Sequence, residues 1–333
     1  MPRVVGTDPG TSSLDLVLLA DGAFVDGHRF PPRTLRDDPE ALRRLLRRWS
    51  PIDLIAGPSG YGLPLIRGQD VTEADVDLMA LTRPDERGRE MGVVGFRGWV
   101  REFLASGIPT IFLPGGIHLA TIPSHRKANA IDMGTADKIA VAALAIREDR
   151  GRSRSFAVIE VGSAFSAVLV ILDGAVVDAS AGTRGPIGLM SGGAWDGEAA
   201  YWLSPLAKDD LFRGGWADLG EVATMSFRES LRKAMAGLRA VTPFDLAYLS
   251  GGGLNRPEIL RAVREAIEGL VEAVPLDGLP GCGIKLAAQG SALLADGLAG
   301  GRHGDLVESL QLRRSSGTLF DHLRSRLTPG TPP

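Results

Sequence analysis

The sequence predicts an α/β protein made of two related halves, and three observations carry that prediction: chain length, an internal repeat, and alternating strand-like and helix-like segments. At 333 residues the chain exceeds what a single core usually holds, so two domains are expected. The segment from Val5, VGTDPGTSSLDLVLLADGAFVD, aligns without a gap to the segment from Ala157, AVIEVGSAFSAVLVILDGAVVD, at a constant offset of 152 residues. Asp8 falls on Glu160, Gly10 on Gly162, Thr11 on Ser163, and Asp21-Gly22 on Asp173-Gly174. Each copy reads as a strand carrying an acidic residue and then a glycine, a second apolar strand, and an Asp-Gly hairpin turn whose central positions accept positive φ. Similarity at a fixed offset marks a duplicated supersecondary unit, and two copies favour a pseudo-symmetric pair of lobes over a solenoid.

The rest of the chain alternates in the α/β manner. An amphipathic basic helix over Glu40–Trp49 precedes a short buried strand over Ile52–Ala56. Gly95–Ser106 reads as a helix, Thr110–Leu113 as a strand, and Thr135–Ile146 as an apolar helix with Asp137 in its first turn, where the helix dipole favours a carboxylate. In the second half, helices are expected within Glu221–Arg239, over Pro257–Gly269 and over Ala287–Leu298, with a buried strand at Leu246–Ser250. The charged stretch 147–154 lacks large apolar residues and is the expected linker. The division is therefore an N-terminal lobe over 1–146, a C-terminal lobe over 155–312, and a polar tail over 313–333, expected to fray.

Composition narrows the function. A net charge of -3 gives no electrostatic footprint for nucleic acid or anionic lipid, so neither partner is expected. Cys282 is the only cysteine, which excludes an intramolecular disulfide framework and a thiolate zinc cluster. No run approaches the roughly 18 apolar residues of a membrane span. The first residues are strand-like rather than basic and then apolar, so a cytoplasmic setting is the expectation.

Three glycine-rich turns that follow strands suggest a nucleotide phosphate site. In Gly6-Thr7-Asp8-Pro9-Gly10-Thr11-Ser12-Ser13, backbone N–H groups and hydroxyls suit a phosphate, and Asp8 suits a magnesium ion. Glu160-Val161-Gly162-Ser163 is its counterpart. Leu249-Ser250-Gly251-Gly252-Gly253-Leu254 is a strand, a turn and a helix start, where backbone approaches a ligand closely and negative charge is favoured. Neither a P-loop signature nor a G-x-G-x-x-G dinucleotide fingerprint occurs.

In order and spacing these motifs resemble the two phosphate motifs and the adenosine motif of the acetate kinase, sugar kinase, heat-shock ATPase and actin superfamily. The whole chain, including Ile131-Asp132-Met133-Gly134-Thr135-Ala136-Asp137-Lys138 and Gly182-Thr183-Arg184-Gly185-Pro186, looks most like a prokaryotic family labelled predicted butyrate kinase. The resemblance covers about residues 3 to 300. It implies two ribonuclease H-like lobes with an interlobe nucleotide cleft, ATP and Mg²⁺ as cofactors, and phosphoryl transfer to a small, anionic acceptor such as a short-chain carboxylate. A homodimer is a further expectation. The alternative is an ATP-hydrolysing activator or scaffold of the same fold. The resemblance assigns Asp8 to the metal, Gly10, Thr11 and Ser12 to the transferring phosphate, Gly162 and Ser163 to the β/γ-phosphates, and Gly251, Gly252 and Gly253 to the adenosine. Glu160 stands where many sugar kinases carry Asp and is a second metal candidate. Arg184 is the expected clamp on the phosphoryl group, since a planar guanidinium suits bidentate phosphate recognition. Asp132, Asp137 and Lys138 compete for the acceptor side.

Weaker features complete the reading. His118 and His125 lack a third ligand nearby, which argues against a metal. Pro58-Ser59-Gly60-Tyr61-Gly62 is either an acceptor-pocket wall or a plain turn. Arg126 and Lys127 could attract an anionic substrate but read better as a solvated pair, and Ser191–Asp196 reads as a mobile cleft loop.

Overall fold

The computed structural model describes residues 1–11, 13–86 and 95–324. The strands are β1 (Arg3–Pro9), β2 (Leu14–Ala20), β3 (Ala23–Phe30), β4 (Leu54–Ala56), β5 (Ile66–Arg67), β6 (Thr110–Phe112), β7 (Ser155–Val161), β8 (Ser166–Leu172), β9 (Ala175–Ala181), β10 (Leu246–Ser250) and β11 (Glu272–Pro275). The α-helices are α1 (Thr34–Asp37), α2 (Ala41–Trp49), α3 (Glu73–Ala80), α4 (Phe96–Ala105), α5 (Ala136–Asp149), α6 (Gly197–Trp202), α7 (Ala223–Val241), α8 (Pro257–Ile267), α9 (Leu286–Leu298) and α10 (Gly304–Ser309). One sheet has the order β3-β2-β1-β4-β6-β5 and the other β9-β8-β7-β10-β11. In each, an antiparallel three-strand meander is continued by parallel strands on the first strand's other edge, and in the first sheet β5 then pairs antiparallel with β6.

The sequence repeat is a structural repeat down to its irregularities. β1 and β2 have the same bounds as β7 and β8 at the offset read from the sequence. The register shift at Leu18/Leu19 recurs at Val170/Ile171. The turn residues Asp21 (φ 52°) and Gly22 (φ 68°) recur as Asp173 (φ 50°) and Gly174 (φ 75°), the conformation an Asp-Gly pair tolerates best. The Gly10 N–H donates to Ser13 O at 2.9 Å, as Gly162 N–H does to Phe165 O at 2.9 Å. The inner strands are buried on both faces, which explains their unbroken apolar runs where alternation would mark a half-solvated strand.

Two helices lie between the sheets. α9 packs on β1, β2 and β4, while α5 packs on β7 and β8, and the two helices pack on each other. The sequence places α9 in the second half, yet its small-residue face (Ala288, Ala292) lies on the first sheet. A Cβ at Gly290 would stand 1.8 Å from Ala140 O on α5, and one at Gly6 would stand 2.0 Å from Ala292 N. Only glycine permits these backbone approaches. The outer faces carry amphipathic helices. On α2, Leu42, Leu45, Leu46 and Trp49 follow the i, i+3, i+4, i+7 pattern and are buried, each contributing about 1.5–3 kcal/mol. On α7, Ala223, Phe227, Leu231 and Met235 repeat every four residues against the second sheet.

The expected helices appear within a few residues of their expected bounds. The sequence reading left out α3, which its Thr72/Asp75 capping box announces, and the short strands β5 and β11. Within the stretch 147–154, α5 runs on to Asp149, whose buried carboxylate accepts from Tyr248 Oη at 3.1 Å and Ser153 N at 2.9 Å. The tail does not fray over residues 313–324. Leu319 is buried, Ser316 N donates to His118 O at 3.0 Å, and Asn129 N donates to His322 O at 3.0 Å, because apolar side chains punctuate the polar run. Its Pro-rich end lies outside the described residues. No helix among the described residues is long and apolar enough to cross a membrane.

Candidate active site

A cleft of about 270 Å³ opens where the two repeat hairpins face each other. The turn after β1 supplies Asp8, Gly10 and Thr11, and the turn after β7 supplies Glu160, Gly162 and Ser163. The pseudo-symmetry brings equivalent residues into contact, since the hydroxyls of Thr11 and Ser163 share a short hydrogen bond across the cleft. The N-terminus of α5 adds Thr135, Asp137 and Lys138, and the residue preceding α9 is Lys285.

The electrostatics of this cluster are unequal on its two sides. Lys138 reaches Asp137 at 2.6 Å and Glu160 at 2.8 Å. Burial disfavours its ammonium, but the two carboxylates outweigh that and hold its pKa above the usual lysine value. Burial likewise opposes ionisation of Asp137, yet Lys138 and the Thr135 hydroxyl hold its carboxyl below the ordinary range. Glu160 is raised by burial despite the pull of Lys138. Lys285 lies 3.7 Å from Asp8 and 3.1 Å from Asp15, and Asp15 also binds Arg29 at 2.7 Å. Asp8 is thus under-compensated. Burial pushes its carboxyl up to about 7, with Asp137 and Asp15 adding to the rise while Lys285 and Lys138 oppose it.

Of the residues singled out from sequence, the cleft gathers Asp8, Gly10, Thr11, Asp132, Asp137, Glu160, Gly162, Ser163 and Gly252. Asp132 accepts from Gly134 N–H at 2.7 Å, and burial raises its pKa. Ser12 lies outside the described residues. The triglycine turn divides its labour. A Cβ at Gly251 (φ +105°) would stand 2.2 Å from Val161 O, and one at Gly253 would stand 2.7 Å from Val161 Cγ1. Those two glycines let the turn sit on the end of β7, whereas Gly252 meets nothing within 4 Å and faces the cleft. Arg184 does not line the cleft: its side chain is exposed, and Nη1 lies 3.4 Å from Met133 Sδ.

Other expectations resolve differently. Ser59, Gly60 and Tyr61 do line the cleft. Arg126 and Lys127 are not a solvated pair: Arg126 binds Val177 O at 2.9 Å and Thr242 Oγ1 at 3.1 Å, and Lys127 is buried on Leu119 O at 2.7 Å. Their alkyl stems are long enough to bury while the cationic heads find carbonyls. Ser191 is fully buried, and Gly192 N donates to Arg213 O at 2.8 Å, so this glycine-rich run packs on a neighbouring strand-like segment. Sequence reasoning missed Lys285, Lys208, Phe165 and Phe212 as cleft residues, because a lone lysine or phenylalanine carries no local signature.

A family model described as "Protein of unknown function (DUF1464)" matches residues 6–325. The chain belongs to that family. No curated protein sequence matches it. Among solved structures, a propionate kinase from Francisella tularensis subsp. tularensis SCHU S4 matches with a TM-score of 0.59 at 13% identity, covering 87% of this chain and 99% of that one. Acetate kinase from Entamoeba histolytica matches with a TM-score of 0.56 at 13% identity, covering 80% and 87%. At these identities the matches establish the fold alone, which is the acetate kinase and actin-like ATPase fold that the resemblance of the motifs implies.

Proposed function

We propose that the cleft binds ATP with Mg²⁺ and that the protein transfers the terminal phosphoryl group to a small anionic acceptor, of which a short-chain carboxylate is the leading class. The observation that carries this reading is the convergence of the two repeat hairpins, with the hydroxyls of Thr11 and Ser163, one from each half, meeting in one space beside buried acids and lysines. In this reading Gly10, Thr11, Ser12, Gly162 and Ser163 cradle the phosphates, and the turn at Gly251–Gly253 passes the adenosine.

The residues present suit a magnesium ion. Asp8 is a buried, under-compensated carboxylate, so its environment favours a nearby cation. A magnesium ion in such a site is held by one or two carboxylates plus phosphate oxygens and so needs no cage of protein ligands. When bound with the nucleotide, the ion supplies charge neutralisation for the phosphates. Asp8 is its first ligand in this reading, and Glu160 is secondary because Lys138 already holds it.

Phosphoryl transfer also needs cations along the path of the transferring charge. Lys138 and Lys285 line the cleft and supply that field, a role the sequence alone would give to Arg184. Asp132 and Asp137 stand on the acceptor side of the α5 N-terminus. A hydroxyl acceptor would use an aspartate as base; a carboxylate acceptor needs none.

The test is turnover. Protein is mixed with MgATP and a panel of carboxylates and sugars, and ADP is followed. Acceptor-dependent ADP formation is expected, with carboxylates ahead of sugars. ATP loss that ignores every acceptor would instead favour a hydrolysing activator of the same fold.

A further inference from the structure

Beside the phosphate turns the cleft has an apolar wall, with Tyr61, Met79, Phe96, Leu113 and Phe212 lining it together with Phe165 of the β7–β8 turn. Lys208 enters this wall. Lys208 begins a short helical turn, Lys208–Phe212, and its Nζ lies 3.3 Å from Tyr61 Oη and 4.7 Å from the Tyr61 ring centroid. The same turn delivers Phe212, whose ring meets Phe165 edge-on at 5.0 Å. The turn is anchored across the cleft by the Lys208 N–H, which donates to Glu86 Oε1 at 3.2 Å.

Among the described residues Lys208 forms no ion pair with a carboxylate. The charged and titratable groups that face it are Asp132, Glu86 and Tyr61. Burial pushes its ammonium down to about 8, and Asp132 and Glu86 only partly offset that. An ammonium drawn into an apolar wall without a counter-ion costs stability, and such a cost is kept where a ligand repays it. Tyr61 completes the polar end, since its hydroxyl stays neutral: burial and the nearby Asp132 and Asp137 raise its pKa. Met79, Phe96, Phe165 and Phe212 give this wall a largely apolar surface, which suits a ligand with an apolar body.

We propose that Lys208, with Tyr61, is the specificity-determining device for the acceptor: it binds the carboxylate of a small monocarboxylic acid whose apolar body lies against Phe165, Phe212 and Met79. The acceptor role rests on the phosphotransfer reading above; the carboxylate site itself does not. Lys208 comes from the second half of the chain and Tyr61 from the first, so the site is complete only when the halves face each other.

The experiment is calorimetric titration of wild-type protein, Lys208→Met and Lys208→Arg with butyrate, benzoate, butyramide and glucose, with a non-hydrolysable ATP analogue titrated in parallel. Wild type is expected to prefer butyrate over isosteric butyramide by about tenfold or more, the worth of a hydrogen bond to a charged group. Lys208→Met should bring butyrate to the level of butyramide, Lys208→Arg should retain most of the preference, and all three should bind the nucleotide analogue alike. In wild type, butyrate affinity should fall as pH rises through about 8, where the ammonium loses its proton. Equal binding of acid and amide by wild type, unchanged butyrate affinity in Lys208→Met, preference for glucose, or no binding of either acid would each overturn the proposal. The acid-over-amide comparison needs no variant, so misfolding of Lys208→Met does not shield it. Wild type that discriminates acid from amide yet ignores the nucleotide would support the carboxylate site and sink the phosphotransfer reading alone.

Discussion

Asp8 and Glu160 occupy equivalent positions on equivalent strands, yet their surroundings differ. Glu160 is tied to Lys138 at 2.8 Å, and Lys138 is tied in turn to Asp137. Asp8 has its nearest lysine at 3.7 Å, and that lysine stands closer to Asp15. One copy of the repeated acid is neutralised inside the protein; the other waits for a cation from outside. Duplication supplied the backbone twice, and divergence of side chains from α5 and the turn before α9 made one copy structural and one receptive.

The largest expected effect lies on the neutralised side. Lys138→Met removes the cation between Asp137 and Glu160 and strands two buried acids. Chemical denaturation should show a loss of about 3–5 kcal/mol; a loss below about 1 kcal/mol would mean that Lys138 does not hold the two acids together. Next comes the receptive side. Asp8→Asn should leave the fold intact by circular dichroism while magnesium-dependent ADP formation falls by about 100-fold or more. Unchanged turnover would remove Asp8 from the chemistry.

A third prediction concerns pH. The carboxyl of Asp8 is raised from 3.8 to about 7, so between those values the native state holds a proton that the unfolded chain has lost. Its contribution to stability is therefore full below about 4 and is lost as pH rises through 7, by an amount on the order of 2–4 kcal/mol. Asp8→Asn should flatten that decline between pH 5 and 8 in thermal melts, and an identical pH profile would contradict the under-compensation of Asp8. The smallest effect belongs to the contact that joins the two copies. Thr11→Val and Ser163→Ala should each cost about 1 kcal/mol or less, and a double-mutant cycle should show them coupled. Additive effects would mean that the two hydroxyls act independently.

The hairpins were legible because their determinants are local. An Asp-Gly pair between apolar runs dictates a turn, unbroken apolar runs dictate doubly buried strands, and the constant offset between copies exposes the duplication without any knowledge of contacts. Asp8, Glu160 and the glycines around them came with those turns. Arg184 looked equally suited by residue type, but packing decides exposure: Gly182 at the start of its turn lines the cleft, while the Arg184 side chain is exposed and does not. The role of the triglycine was half legible: the sequence marks a tight turn, and only the end of β7 shows that Gly251 and Gly253 serve the packing while Gly252 faces the open space.

By itself the sequence determined a duplicated α/β fold and the two phosphate-type turns, because turn chemistry and hydrophobic period act over a few residues. Tertiary structure alone decided that α9 returns to the first sheet, that Gly290 brings it against α5, and that Lys208 and Lys285 join Lys138 in one cleft. Those lysines lie far apart along the chain, and an isolated lysine has no periodicity to announce it. Only the closing of the two halves sets Lys138 against Glu160, Lys285 against Asp15 and Lys208 against Tyr61.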